Sequence, residues 1–179
     1  NASSVTIQSM VLRNFRSTAA TVPTALRLAA AGSSLTIRDC VLSGNRNTAV
    51  ALGGGALIVL HLGNSLSIDR CVFNSNFHGL NGGALYCVPT NAVIANSVFY
   101  DNEAGGSASN QGGGAIRYQA NQAGSALNLF NCTIVGNRVP NGSAVGGGVG
   151  LSSTAGAIVN LHDSVVVENT GPGGVASDI

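Results

Sequence analysis

Hydrophobic and polar residues alternate along this chain in short bursts, and the bursts repeat. Leu35-Thr-Ile-Arg-Asp-Cys-Val-Leu-Ser-Gly-Asn45 sets Leu35 and Ile37 to one side and Thr36 to the other, the period of two that marks a strand. The pattern returns at Leu66 to Asn76, Ala92 to Asn102, Leu127 to Asn137 and Val159 to Asn169. A weaker first copy runs from Val5 to Asn14, with its Asn one place early. The sixth position of the block falls at residues 10, 40, 71, 97, 132 and 164. A second block lies between the copies: Gly54-Gly-Ala-Leu57, Gly82-Gly-Ala-Leu85, Gly113-Gly-Ala-Ile116, Gly147-Gly-Val149 and Gly173-Gly-Val175, with Thr24-Ala-Leu26 as a degenerate first copy.

Strands that recur in one orientation about every 30 residues, with no helical crossover between them, predict a solenoid. The chain reads as all-β: a parallel β-helix of about six coils, ~4.8 Å apart, in one domain spanning residues 1–179. A β-sandwich is the competing reading, but it gives no reason to repeat one side chain at one strand position. Stacked coils turn equivalent positions into columns. Leu42, Phe73, Phe99, Ile134 and Val166 are expected inside, as are Ile37, Ile68, Ile94, Leu129 and Leu161. Asn45, Asn76, Asn102, Asn137 and Asn169 end the blocks and are expected to form a hydrogen-bonded ladder, because an amide both donates and accepts. The column Met10, Cys40, Cys71, Ser97, Cys132, Ser164 reads as interior packing. Free buried thiols are expected; if a disulfide forms, Cys71 with Cys87 is the pair, since both lie in one coil. Arg38 is expected above Asp69, and Asp39 above Arg70, as two ion pairs.

Charge then narrows the functions. The chain holds eight basic residues, all arginine, and seven acids, for a net charge of +1. A nucleic-acid partner needs a phosphate-coating basic face, which this composition excludes. The chain is 45% hydrophobic with little net charge, which excludes disorder, and no run is long enough for a membrane span. His61, His78 and His162 sit in different blocks, so no metal site or other cofactor is expected.

The alternation of Phe73-Asn-Ser-Asn76 and Phe99-Tyr-Asp-Asn102 with Gly82 to Leu85 and Gly113 to Ile116 resembles the repeats of the polymorphic outer-membrane proteins, a group of autotransporter-type surface adhesins. It also resembles, more loosely, secreted proteins with a pectin-lyase-like right-handed β-helix. The resemblance implies a right-handed coil, a secreted or cell-surface location, adhesion to host-surface or matrix glycans or proteins, and no cofactor. This chain departs from that family in lacking a membrane-barrel segment.

The leading expectation is therefore a non-enzymatic extracellular structural or adhesive rod. Its work would fall to loops 46–52, 103–112, 119–124 and 138–146. The end at Asp178-Ile179 is expected to fall inside a coil, with open strand edges that pair with further coils or copies into a longer rod or filament. The alternative is a polysaccharide lyase or glycoside hydrolase, which would need clustered carboxylates; Asp101, Glu103 and Glu168 are the candidates. Asp101 and Glu168 share a column two coils apart, roughly 10 Å. An outward column beginning Thr6, Thr36, Ser67 suggests a carbohydrate- or ice-binding face, but breaks at Val93, Asn128 and Asn160. Asn1, Asn131 and Asn141 match the N-glycosylation pattern, Asn141 best because it follows Pro140 in an expected loop.

Overall fold

The computed structural model describes residues 3–18, 25–50, 53–61, 63–89, 91–120, 122–153, 156 and 158–179. Asn1, Thr24 and loop residues 51, 52 and 121 lie outside the described residues. The chain winds as a parallel β-solenoid of about five turns. Its first face stacks six strands: Ser4–Gln8, Ser34–Arg38, Ser65–Asp69, Asn91–Ala95, Ala126–Phe130 and Ile158–His162. The second face stacks six more: Val11–Arg13, Val41–Ser43, Val72–Asn74, Val98–Tyr100, Thr133–Val135 and Val165–Val167. The third face holds Arg16–Ser17, Arg46–Asn47, Phe77–His78 and Glu103–Ala104, extended by bridges to Arg138 and Thr170. The fourth holds Leu26–Leu28, Leu57–Val59, Leu85–Cys87, Ile116–Ala120 and Val149–Ser153.

Every strand pairs in parallel with its counterpart one coil away, in the register of the sequence columns. Ile37, Ile68, Ile94 and Leu129 are wholly buried, as are Leu42, Phe73, Phe99 and Ile134. The Phe73 and Phe99 rings stack with centroids 4.5 Å apart. Each such burial stabilises the fold by roughly 1.5–3 kcal/mol. Leu161, in the sixth strand of the first face, is 41% exposed.

Two corners are built by one device. Between the first and second faces, Ser9, Asp39, Arg70, Asn96, Asn131 and Asp163 are all left-handed, with φ from +49° to +56°. Between the second and third faces, Asn14, Gly44, Ser75, Asp101, Gly136 and Glu168 are left-handed too, with φ from +53° to +65°. A left-handed non-glycine costs about 1–2 kcal/mol. The following side chain closes each corner. At the first, Cys40 Sγ donates to Arg38 O, Cys71 Sγ to Asp69 O, and Ser97 Oγ to Ala95 O. At the second, Asn137 Nδ2 donates to Val135 O and Asn169 Nδ2 to Val167 O. The Cys/Ser column is thus a hydrogen-bonding column as well as packing, which explains why thiol and hydroxyl interchange there.

The second corner shows why the first copy looks irregular. Asn14 occupies the left-handed column beside Gly44, and Phe15 stands at the ladder position, its N–H donating to Asn45 Oδ1. The ladder begins at Asn45, and Asn14 is not part of it.

The paired glycines of the second block exist because coils approach closely there. A Cβ on Gly55, Gly83 or Gly114 would lie 1.9–2.0 Å from the carbonyl oxygen of the next coil's equivalent glycine. Register places Val149 opposite Ile116, so the fifth copy is Gly146-Gly-Gly-Val149 rather than Gly147-Gly-Val149. Gly173-Gly-Val175 is not a copy at all. Pro172–Gly174 forms a 3₁₀ turn, and the chain folds back so that Ala176 bridges Thr170 in antiparallel fashion. The end of the chain therefore crosses the last coil instead of lying inside a coil.

Candidate functional site

The ladder is the most ordered polar feature of the molecule. Asn76 Oδ1 accepts from both the backbone N–H (3.1 Å) and Nδ2 (2.9 Å) of Asn45. Asn102 receives Asn76, Asn137 receives Asn102, and Asn169 receives Asn137 in the same way. Each Nδ2 also reaches a carbonyl of the preceding coil, as from Asn76 to Leu42 O. At the last step Asp178 Oδ1 replaces an asparagine, accepting Asn169 N and Nδ2 at 3.0 Å each. The tail also covers the fourth face, where Gly148 N–H and Val149 N–H donate to the carbonyls of Ser177 and Asp178. These five amides build the coil and are fully or nearly fully buried.

The external polar column at the first corner is likewise internally paired. Arg70 bonds Asp39 at 2.7 Å and also takes Asp69. The expected Asp39–Arg70 pair forms; Asp69 pairs with its neighbour Arg70 and not with Arg38, although Arg38 lies opposite it in register. Asn96 Nδ2 donates to Asp69 and Asn131 Nδ2 to Asn96, so Asn131 is an exposed link in this column at a left-handed corner. Asn141 is exposed in a turn and donates to Gly105 O.

The third face carries a groove of mixed charge with an aromatic ring. Arg16, Arg46, Phe77 and Glu103 stand in one column, and Arg138 bridges on beyond Glu103. The Arg46 guanidinium lies 3.9 Å over the Phe77 ring. Arg138 Nε reaches Glu103 Oε2 at 2.7 Å. Asp101 and Glu103 line a common cavity of about 240 Å³ with Arg46, Ser75, Asn76, Phe77 and Arg138. Glu168 is not among its lining residues; Gly136 separates it from Asp101 in their shared column. The structure thus brings two of the three candidate carboxylates together. Asp101 is exposed to water and Glu103 is held by Arg138.

The four cysteines are free and buried, so Cys71 and Cys87 are not joined. Burial pushes the Cys71 thiol up to about 11 and the Cys87 thiol higher still, which makes both poor nucleophiles. His78 is buried, its Nδ1 accepting the N–H groups of Leu80 and Asn81, and burial pulls its pKa down to about 4. Among the described residues no three His, Cys, Asp or Glu side chains converge to hold a metal. No helix of the described residues is long and apolar enough to cross a membrane.

Arg117 sits on the outer side of the fourth face yet is only 1% exposed. It donates to the carbonyls of Asn110 and Gln111 and so pins the loop preceding its own strand; burial lowers its pKa. The 140–146 loop stacks on that one, Ser143 N–H to Ser107 O and Val145 N–H to Gln111 O. These two expected working loops are therefore packed against each other, around Ala104, Val139 and Ala144. The fold and its ladders define a parallel β-solenoid. No family model, curated protein or solved structure matches this chain.

Proposed function

We propose that the chain is a non-enzymatic, extracellular or cell-surface building block, a stiff β-helical rod of the adhesin type. The observation that carries this reading is where the repeated polar residues go. The asparagines, the Cys/Ser column, Arg117 and His78 all bond the solenoid to itself. The chain's polar chemistry maintains shape, and its outward columns form a regular surface for contact. The mixed-charge third-face groove, with its aromatic ring, suits host-surface or matrix glycans or proteins. Binding to immobilised matrix proteins and glycans tests it. The wild type should bind a saturable surface and lose binding on Arg46→Ala with Phe77→Ala; no saturable binding to any of them sinks the adhesive role.

A second reading keeps one specific support: Asp101 and Glu103 share a groove with two arginines, the residue types of a polysaccharide lyase or hydrolase. Turnover of uronic-acid or neutral glycans that disappears in Asp101→Ala and Glu103→Ala would favour it over the rod.

A further inference from the structure

Two arginines of the third face stand apart in a molecule that otherwise bonds its polar groups to itself. Arg16 and Arg46 lie in register on adjacent coils, and both are exposed. Neighbouring strands are ~4.8 Å apart, so two like charges face each other across one coil spacing, which is unfavourable. The ion pairs among the described residues join Arg70 to Asp39 and Asp69, and Arg138 to Glu103; neither Arg16 nor Arg46 takes part in one. Arg46 has a paired strand on each side, Arg16–Ser17 and Phe77–His78, and neither brings it an acid. Its guanidinium lies 3.9 Å over the Phe77 ring, which holds the cation in place without neutralising it.

The space around these arginines is shaped to receive something. Arg16 and Arg46 line a cavity of about 250 Å³ with Ser17, Thr18 and Thr48. Arg46 also lines the cavity of about 240 Å³ that holds Phe77, Asp101 and Glu103. The two cavities adjoin at Arg46 and make one groove. The groove has a polarity. One part carries two unneutralised cations among hydroxyl groups. In the other, Arg138 neutralises Glu103, while Asp101 is exposed and has no ion-pair partner among the described residues. Three arginines (Arg16, Arg46, Arg138) against two acids (Asp101, Glu103) leave the groove a charge of +1.

An anion between Arg16 and Arg46 relieves their repulsion. One guanidinium fork satisfies both oxygens of a carboxylate. Two forks side by side suit a group with three free oxygens. A sulfate ester has three, and its single negative charge matches the groove. A phosphate monoester also has three but carries about −1.5 to −2. Beyond Arg46, the Phe77 ring supplies apolar contact and the Asp101 carboxylate accepts from hydroxyl groups, the two needs of a neutral sugar ring.

We infer that the third-face groove binds a sulfated glycan, one sulfate ester held between Arg16 and Arg46 and the adjoining sugar laid over Phe77 towards Asp101. The inference rests on the adhesive reading and deepens it by naming the class of ligand.

Calorimetric titration of the full chain with dextran sulfate, dextran and polygalacturonate tests it. Dextran sulfate should bind saturably, and dextran, which lacks the sulfate, far more weakly. Polygalacturonate, whose charges are carboxylates, should bind at least about tenfold more weakly than dextran sulfate. Arg16→Ala and Arg46→Ala should each weaken dextran sulfate binding about tenfold, since each removes a charged hydrogen-bonding fork. Arg46→Lys keeps the charge but not the fork, and should weaken it too. Arg38→Ala removes the same charge from an exposed position on the first face and should leave binding unchanged. Circular dichroism checks that each variant keeps the wild-type fold. No binding of dextran sulfate, equal affinity for polygalacturonate, wild-type binding by Arg46→Lys, or a loss from Arg38→Ala as large as that from Arg46→Ala overturns the inference. Saturable binding to an immobilised matrix protein without binding to dextran sulfate overturns this inference alone and leaves the adhesive reading standing.

Discussion

At the scale of the residue, the recurrent theme is one side chain serving two coils. Asn102 accepts two N–H groups from Asn76 and donates to Phe73 O and to Asn137. Asn102→Ala leaves the buried N–H and Nδ2 of Asn76 without acceptors, and should cost roughly 2–5 kcal/mol in urea unfolding. A cost below ~1 kcal/mol would mean the ladder is ornamental. Asp178 makes a finer distinction. Asp178→Asn keeps an oxygen facing Asn169 and should be nearly neutral, whereas Asp178→Ala should destabilise by about 1–3 kcal/mol. Equal losses from both would show that the acceptor is not what the tail supplies. His78 gives a pH dependence. Its pKa falls from 6.5 unfolded to about 4 folded, so between those values the unfolded chain binds more protons. This contribution is complete above pH about 6.5 and is lost as pH falls towards about 4, by roughly 3 kcal/mol. His78→Gln should flatten that slope in chemical denaturation run across the window.

At the scale of the element, the corners and the close glycine contact set the coil's shape. Gly83→Ala places a Cβ 2.0 Å from Gly114 O, a backbone atom that cannot swing aside. It should destabilise by about 3 kcal/mol, the upper end for overpacking, or prevent folding. Gly124→Ala, where a Cβ meets nothing within 4 Å, is the control; Gly124 is itself left-handed, so only its backbone cost should appear. A Gly83→Ala protein no less stable than that control would contradict the close approach. How much of this was legible follows from repetition. The strands, their registers and the asparagine ladder recur in every coil, and the spacings of the ladder bonds are those of the sequence blocks. The left-handed columns were hidden because Ser, Asp, Arg, Asn, Gly and Glu all occupy them, so backbone geometry is shared while residue identity is not. The Asp178 cap was hidden for the opposite reason: it occurs once, and no period announces it. Pro172-Gly-Gly was the available turn signal, and its glycine pair looked like another copy of the second block. Arg117 was obscured because a lone arginine on an outward strand position ordinarily faces water, and only the overlying loop buries it.

At the scale of the whole molecule, the described residues form a stack bonded to itself coil by coil. The third-face groove gathers Asp101 and Glu103 but leaves Glu168 outside. Every functional statement rests on the coils lying directly over one another, with Asn45, Asn76, Asn102, Asn137 and Asn169 bonded in a continuous buried column. Hydrogen exchange of their side-chain amides by NMR measures this directly, with exposed Asn141 as the internal reference. The ladder amides of Asn76, Asn102 and Asn137 should exchange only through global unfolding, far more slowly than that of Asn141. Exchange of the ladder amides at the Asn141 rate would contradict the stacked column and the rod built on it.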